Sequence, residues 1–312
     1  MKRIIRKFGA LIITLLLVSF IAFVAFNVIP GDSAVTKLGT NATKEAIEAL
    51  REELGLNDNL FLRYANWLRN ALKGDFGTSI KYNIPVNELI KDRLPVTIWL
   101  AILSITMITL FAIPLGLLSV KGKEGLGNGI SSFLIHTLMA IPPFFLGILI
   151  TLLFGIILEW FVPGEFIKPK ANFLEFIKYM IYPSLAIAIP QIAMVVKFLR
   201  NSVLHELTMD YVRTAKSKGS TSGRVLYRHV LKNAFIPIIT FLGMVLADVL
   251  AGSIIVEQVF SLPGLGRLLI TSIANRDFMV VQGIMLYIVT MVVVINFVVD
   301  LIYQRIDPRI RL

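Results

Sequence analysis

The sequence predicts an all-α, polytopic membrane protein with six transmembrane helices and both termini in the cytoplasm. Three observations carry this. The 312 residues are 56% hydrophobic with a mean hydropathy of +0.78, more apolar than a soluble domain that must cover itself with polar surface. The apolar residues gather in six runs, near 8–29, 95–120, 130–158, 179–199, 234–256 and 279–302. Each is long enough, or nearly so, to cross a hydrocarbon core of about 30 Å as about 20 helical residues. The runs lack the alternation of barrel strands, and in lipid only helices or closed barrels satisfy their own backbone. The chain has no Cys, which excludes disulfides, thiolate chemistry and Cys-ligated metal.

The first run opens on Lys2, Arg3, Arg6 and Lys7, as a signal peptide would. Its apolar stretch is too long for one, however, and Asn27-Val28-Ile29-Pro30 offers no small-x-small cleavage site, so residues 1–29 read as tail plus retained helix. Residues 30–94 read as an extracytoplasmic helical segment. Thr43 caps a helix over 43–54 with Ala46, Ile47, Leu50 and Leu54 as its stripe. A second helix over 60–72 carries Tyr64, Trp67 and Leu68, its aromatic residues toward the membrane surface, and Gly74 and Gly77 end it. Residues 95–302 form a five-helix core and 303–312 a cytoplasmic tail. Pro142-Pro143, Pro183 and Pro190 interrupt spans, which suits a gated pore and also occurs in passive membrane folds.

Charge sets the orientation. The N-tail, the 121–129 and 200–233 links and the C-tail hold 16 Lys/Arg against 4 Asp/Glu, whereas the other links hold 14 of each. The basic side is the cytoplasmic one. The net charge of +11 is thus a topology signal and not a sign of nucleic-acid binding.

The 200–233 link is the most informative segment. A helical stretch through Asp210-Tyr211-Val212-Arg213-Thr214-Ala215-Lys216-Ser217-Lys218 meets Gly219, which takes the positive φ that ends a helix. Ser220, Thr221 or Ser222 caps a new helix. Arg224, Arg228 and Lys232 then line one face, and Leu226, Val230 and Ala234 the opposite one. The result is a helix–turn–helix that reads as a solvated basic loop, as a contact for anionic lipid, or as a rigid knob through which a partner moves the pore.

Thr214-Ala215-x3-Gly219 resembles the EAA motif of ABC importer permeases, whose knob docks into a cleft of the ATPase subunit. Arg213 and Thr214 stand where that consensus has Glu and its first Ala, and His229 and Lys232 replace its later Ile and Pro. Arg213-Thr214-Ala215-x3-Gly219, Arg228-His229-x-Leu231-x-Asn233-Ala234 and Pro237 instead resemble the variant of the dipeptide/oligopeptide/nickel permeases. The likeness runs nearly end to end: Pro30-Gly31-Asp32, Leu54-Gly55-Leu56, Gly74-Asp75-Phe76-Gly77-Thr78-Ser79, Arg93-Leu94-Pro95, Ile141-Pro142-Pro143-Phe144, the stretch Glu257-Gln258-Val259-Phe260-Ser261-Leu262-Pro263-Gly264-Leu265-Gly266, and Asp307-Pro308-Arg309. It is closest to the first of the two permeases in such systems. The resemblance implies a type I ABC importer architecture, a second homologous permease, two ATP-binding subunits that carry the ATP-Mg, and an extracytoplasmic solute-binding protein. It implies ATPase docking through Arg213, Thr214, Ala215, Gly219, Arg224, Arg228, His229 and Asn233. It also places Glu257, Phe260, Pro263 and Gly264 beside an external gate.

Asp248 lies within a span, where a carboxylate is a functional candidate. Beside it, Gly243, Ala247 and Ala251 form a small-residue ladder suited to close packing, so Asp248 serves either the pathway or a polar inter-subunit contact. Asn296 reads as an interhelical hydrogen bond, Asp300 as reaching the interface near Arg305, and the lone His136 as a satisfied core residue. Gly125, Gly127 and Gly129 form a turn, and no phosphate loop surrounds Gly122-Lys123. The chain therefore carries no cofactor, metal or catalytic residue of its own. Peptide import by alternating access is the leading reading, with nickel or oligosaccharides as other cargoes. A proton-coupled transporter working through Asp248 is the second reading. An intramembrane enzyme has no supporting residue pair.

Overall fold

The computed structural model describes residues 2–28, 42–53, 57–121 and 126–306. Apart from one isolated bridge between Thr78 and Pro85, the regular structure among them is helical. The elements are α1 (Lys2–Val28), α2 (Lys44–Glu53), α3 (Leu60–Leu72), α4 (Val86–Lys121), α5 (Leu126–Ala140) and α6 (Pro143–Ile150), which continues as a π-helix over Thr151–Ile157. Then follow α7 (Phe173–Leu207), α8 (Asp210–Ser217), α9 (Ser222–Val225), a π-turn (Leu226–Val230), α10 (Leu231–Val259), α11 (Leu265–Ala274) and α12 (Phe278–Ile306).

Among the described residues, five helices are long and apolar enough to cross a membrane: Phe8–Ala25, Val86–Val120, Phe173–Leu207, the continuous Ser222–Val259, and Phe278–Val299. The run at 130–158 is not a single helix. It forms two limbs, Gly129–Ala140 and Pro143–Ile157, bent by 96°, and the count reaches six when this pair is taken as one span. The cause is local. A residue before proline is pushed out of the helical region, and Pro142 is extended at φ −64° and ψ 143°. Pro143 then opens the next limb, where its missing N–H is not needed. Pro183 and Pro190, by contrast, do not interrupt their span: α7 runs through both, and both are buried. Packing on every side of α7 outweighs the penalty of about 3 kcal/mol for a helix-interior proline.

Chain contacts define two compact units, residues 1–97 with 263–294, and residues 98–262 with 295–312. In the first, α3 lies on α1. The Tyr64 hydroxyl donates to Leu16 O at 3.1 Å and shares a 2.7 Å hydrogen bond with Ser19. Its ring packs edge-on against Phe20 and Phe23, and Trp67 lies 5.7 Å from Phe23. These rings therefore rest on the first span. Thr43 caps α2 through the Ala46 N–H at 3.3 Å, and Gly74 and Gly77 both sit at φ +82° after α3. The loop that follows is pinned by the buried Asp277, which accepts from Ser79 Oγ at 2.5 Å and from the Lys81 N–H at 3.2 Å.

In the second unit α7 is the axis. Phe176, Met180, Ile187, Val195 and Leu199 are fully buried, with α5, α6 and α10 packed along α7. Glycines set the approach distances: a Cβ on Gly116 would stand 2.6 Å from Leu199 Cδ2, so α4 reaches α7 only because that atom is missing.

Candidate functional site

The segment between α7 and α10 folds as a stiff elbow. α8 ends at Ser217 with Lys218 as its C-cap, and Gly219 takes φ +81°. The Ser220 N–H returns to Ala215 O at 3.1 Å and the Gly219 N–H to Lys216 O at 2.9 Å. This reciprocal pair satisfies carbonyls that a helix end otherwise leaves open. Thr221 caps the next helix by accepting from the Arg224 N–H at 3.5 Å. That second limb is not a separate element: Ser222–Val259 is continuous, so the helix of the fifth span begins inside the elbow and not at residue 234. Between the limbs the Leu231 N–H bonds Leu226 O, a single π-turn.

Apolar burial seats the elbow. Val212, Val225, Val230, Ala234 and Ile238 form one enclosed cluster with Leu199 and Val203 of α7, and Tyr211 and Ala215 pack against it. Ser202 Oγ ties α7 to Ala234 O at 3.2 Å. The Tyr211 hydroxyl donates to Glu206 at 2.6 Å and also hydrogen-bonds Asn233. Burial first, and then the bond to the neighbouring carboxylate, push the Tyr211 phenol up to about 12. Outward, Arg213, Thr214, Gly219, Arg224 and Arg228 are exposed, as are Lys216, Lys218 and Lys232. Among the residues predicted to dock an ATPase, Ala215 thus faces the seat, His229 is half-buried, and Asn233 braces Tyr211. The bracing set of Tyr211 and Glu206 has no signature in the sequence, because a five-residue separation across the helix interruption at Thr208–Met209 follows no helical period.

The fifth span presents a second candidate surface. Two hydrogen bonds fix the antiparallel register of α7 and α10, Ser202 to Ala234 and Tyr179 to Phe260. Between them Asp248 comes level with residues 188–191, near the middle of α7. Asp248 is exposed there, in line with Met244, Ala251 and Ile255. Gly243 faces elsewhere: it is buried, and a Cβ on it would overlap the isopropyl group of Val299 on α12. Ala247 is half-buried and Asn296 exposed, so the small residues do not share one packed face within the chain.

Glu257 and Phe260, at the end of α10, are fully buried. Tyr179 donates to Phe260 O at 3.1 Å, and the Leu262 N–H returns to Glu257 O at 2.8 Å. Gly147 brings α6 against the Phe260 ring, where a Cβ would stand at 3.2 Å. In the other unit Pro263 is half-buried and Gly264 buried, and Gly264 precedes α11 in an extended conformation. The Leu265 N–H donates to Thr97 Oγ1 at 2.9 Å. Glu257, Phe260 and Gly264 are thus packed positions.

His136 is satisfied but lies outside the core. It is exposed, with Nδ1 at 2.6 Å from Ser132 O and Nε2 at 3.1 Å from Lys197 Nζ. The partner 61 positions away was invisible to a search along the sequence. Among the described residues no three His, Cys, Asp or Glu side chains converge as a metal site. The motif residues at 30–32, 54–56, 122–125 and 307–309, and the side chains of Asp300 and Arg305, lie outside the described residues.

Several helices able to cross a membrane, with a stapled elbow between two of them, make this a multi-pass membrane protein. The family model described as "Binding-protein-dependent transport system inner membrane component" matches residues 109–312, and its N-terminal companion matches residues 1–101. The oligopeptide transport system permease protein AppB of Bacillus subtilis is 36% identical over 313 residues, covering 98% of each chain. A putative peptide transport system permease of Brucella abortus is 34% identical over 309 residues, covering 99% of this chain and 98% of that one. The glutathione transport system permease GsiC of Salmonella typhi is 34% identical over 308 residues, with the same coverage. A solved structure of the MetNI methionine ABC transporter, in inward-facing conformations, shares the fold with a TM-score of 0.56 at 17% identity, covering 70% of this chain and 96% of that one. The chain belongs to the family of inner-membrane components of binding-protein-dependent transport systems. It is a multi-pass cell-membrane permease subunit of an ABC importer, working with separate ATPase and solute-binding components, and hydrolysis is not its task.

Proposed function

We propose that this chain is one of two homologous permease halves of a peptide importer, and that its 208–233 elbow is the part an ATPase subunit pushes. The observation that carries this is the elbow itself. Its turn is stapled by two backbone hydrogen bonds at Gly219, its inner face is locked onto α7 and α10 by the Val212–Val225–Val230 cluster, and its outer face is exposed and basic. A lever of this kind transmits displacement because a close-packed seat does not deform. Pressure on the exposed face tilts α7 and α10 together, opening the bundle alternately to either side. ATP-Mg sits on the partner ATPases, and a binding protein delivers cargo from outside. The peptide cargo is supported by relatives matched over nearly their whole length, which are named as permeases of oligopeptide, peptide and glutathione transport systems.

Asp248 belongs to the surface that meets the other permease or the cargo. A carboxylate at mid-span, facing away from its own bundle, is costly against lipid. Affinity purification of the chain from native membranes should retrieve two ATPases and a second permease, and proteoliposomes of that assembly should take up a short peptide only with ATP and binding protein. Uptake by this chain without any ATPase would overturn the reading.

A further inference from the structure

One cavity of ligand size stands apart from the elbow and from the Asp248 surface. It holds about 610 Å³ and lies at the start of α7, the end remote from the elbow, under the loop that leaves the π-helical limb. That is within the range of small-molecule sites, about 300–1,000 Å³. Its walls are aromatic. Tyr182 stacks on Phe161 with ring centres 4.3 Å apart, and Phe154 meets Trp160 at 5.0 Å. Its rim is charged, with Glu165 on the loop and a 2.8 Å ion pair between Glu175 and Lys178 on α7. The surrounding surface is apolar and open: Ile156, Ile157, Trp160, Val162 and Leu174 are each more than 60% exposed.

These features select an occupant. Aromatic walls call for an apolar body. The exposed aliphatic and indole surface around the mouth belongs in a bilayer, so the occupant reaches the cavity sideways through lipid. Trp and Tyr collect where acyl chains meet headgroups. A rim carrying both a cation and carboxylates matches a headgroup that is itself zwitterionic, its phosphate toward Lys178 and its ammonium toward Glu165 and Glu175. We propose that this cavity is a binding site for an aminophospholipid of the leaflet opposite the elbow, with an acyl chain in the cavity against the wall formed by Phe154, Trp160 and Tyr182 and an ethanolamine-type headgroup on the charged rim.

The site adjoins the end of α10. Phe161 also stacks on Phe260, with ring centres 6.1 Å apart, and Tyr179 joins the loop to α10 by accepting from the Gly164 N–H at 3.2 Å and donating to Phe260 O at 3.1 Å. An occupant there bears on the end of α10. The proposal needs only the membrane embedding of the chain, not the choice of cargo.

The test uses the full assembly in discs of mixed phosphatidylethanolamine and phosphatidylglycerol, with a trace of photoactivatable phosphatidylethanolamine labelled in the acyl chain. Crosslinks should concentrate on residues 154–185 over other lipid-facing stretches such as 102–118. The double variant Trp160→Ala/Tyr182→Ala should lower labelling of 154–185 by about tenfold and leave 102–118 unchanged. Trp160→Phe, which keeps a ring, should retain most of the labelling and so separates loss of the site from loss of fold. Glu165→Gln should erase the preference for phosphatidylethanolamine over a phosphatidylglycerol probe. Even labelling along all lipid-facing helices overturns the proposal, as does labelling of 154–185 untouched by the double variant. A native chain that takes both probes equally removes the headgroup assignment.

Discussion

Substitution at Gly219 separates a backbone role from a contact role. Gly219 sits at φ +81° with no atom within 4 Å of where a Cβ would stand. A side chain there meets open space, and the whole penalty is conformational. A left-handed conformation costs an ordinary L-residue about 1–2 kcal/mol, a β-branched one more, and Asn little, because its short polar side chain tolerates that region. Should the backbone relax to negative φ instead, the bonds from Ser220 to Ala215 and from Gly219 to Lys216 are lost, at about 1 kcal/mol each. Either route destabilises the stapled elbow by about 2 kcal/mol in Gly219→Val, roughly a 30-fold fall in the equilibrium constant that favours the stapled form. The assay is ATP-driven peptide uptake and ATP hydrolysis in proteoliposomes of the complete assembly, with membrane abundance as control. Uptake should follow Gly ≈ Asn > Ala > Val at constant abundance, while basal hydrolysis persists. Native uptake by the Val variant would refute the lever. An Asn variant as impaired as Val would refute the conformational argument and place a partner surface against this point.

Three further outcomes follow from the packing. Tyr211 titrates near 12 rather than at the usual value of about 10. A group raised in the folded state contributes stability that is complete below the unfolded value and lost as pH rises through the folded one. Proteolysis of the elbow should therefore stay flat from neutral pH to about 10 and accelerate from there toward 12; in Tyr211→Phe the alkaline step should vanish, and its persistence would reassign the titration. Gly243→Ala drives a methyl into Val299, an overpacking penalty of about 1–3 kcal/mol. Val299→Ala in the same chain should restore the lost thermal stability in detergent, whereas simple additivity would show that the two do not touch. Asp248→Leu should insert into membranes at least as well as the native chain, since a mid-span carboxylate disfavours insertion by about 2.5–3.5 kcal/mol, yet should slow uptake, with Asp248→Asn between the two. Full uptake by both variants would remove Asp248 from the path and from the inter-subunit face.

Much of the architecture is written locally. Apolar runs of span length specify helices because lipid leaves the backbone no other partner. Thr43, Thr221, Gly74, Gly77 and Gly219 mark helix ends because capping and positive φ are properties of single residues and their nearest neighbours. The opposed ladders of Arg224, Arg228 and Lys232 against Leu226, Val230 and Ala234 likewise set the two faces of the elbow, since helical periodicity alone assigns them.

What tertiary structure decided lies between residues far apart. Pro142-Pro143 bends a span by 96° through its own local sterics, whereas Pro183 and Pro190 leave theirs continuous because packing encloses them. His136 meets Lys197, Asp277 holds Ser79 from 198 positions away, and Tyr211 gains Glu206 and Asn233. The outward aim of Asp248, against the inward aim of Gly243 five residues earlier, depends on which flank of α10 meets α12. A sequence fixes the conformations open to each segment through its own sterics and hydrogen bonds. Which side chains then face each other is a property of close packing, and it exists only once the helices have met.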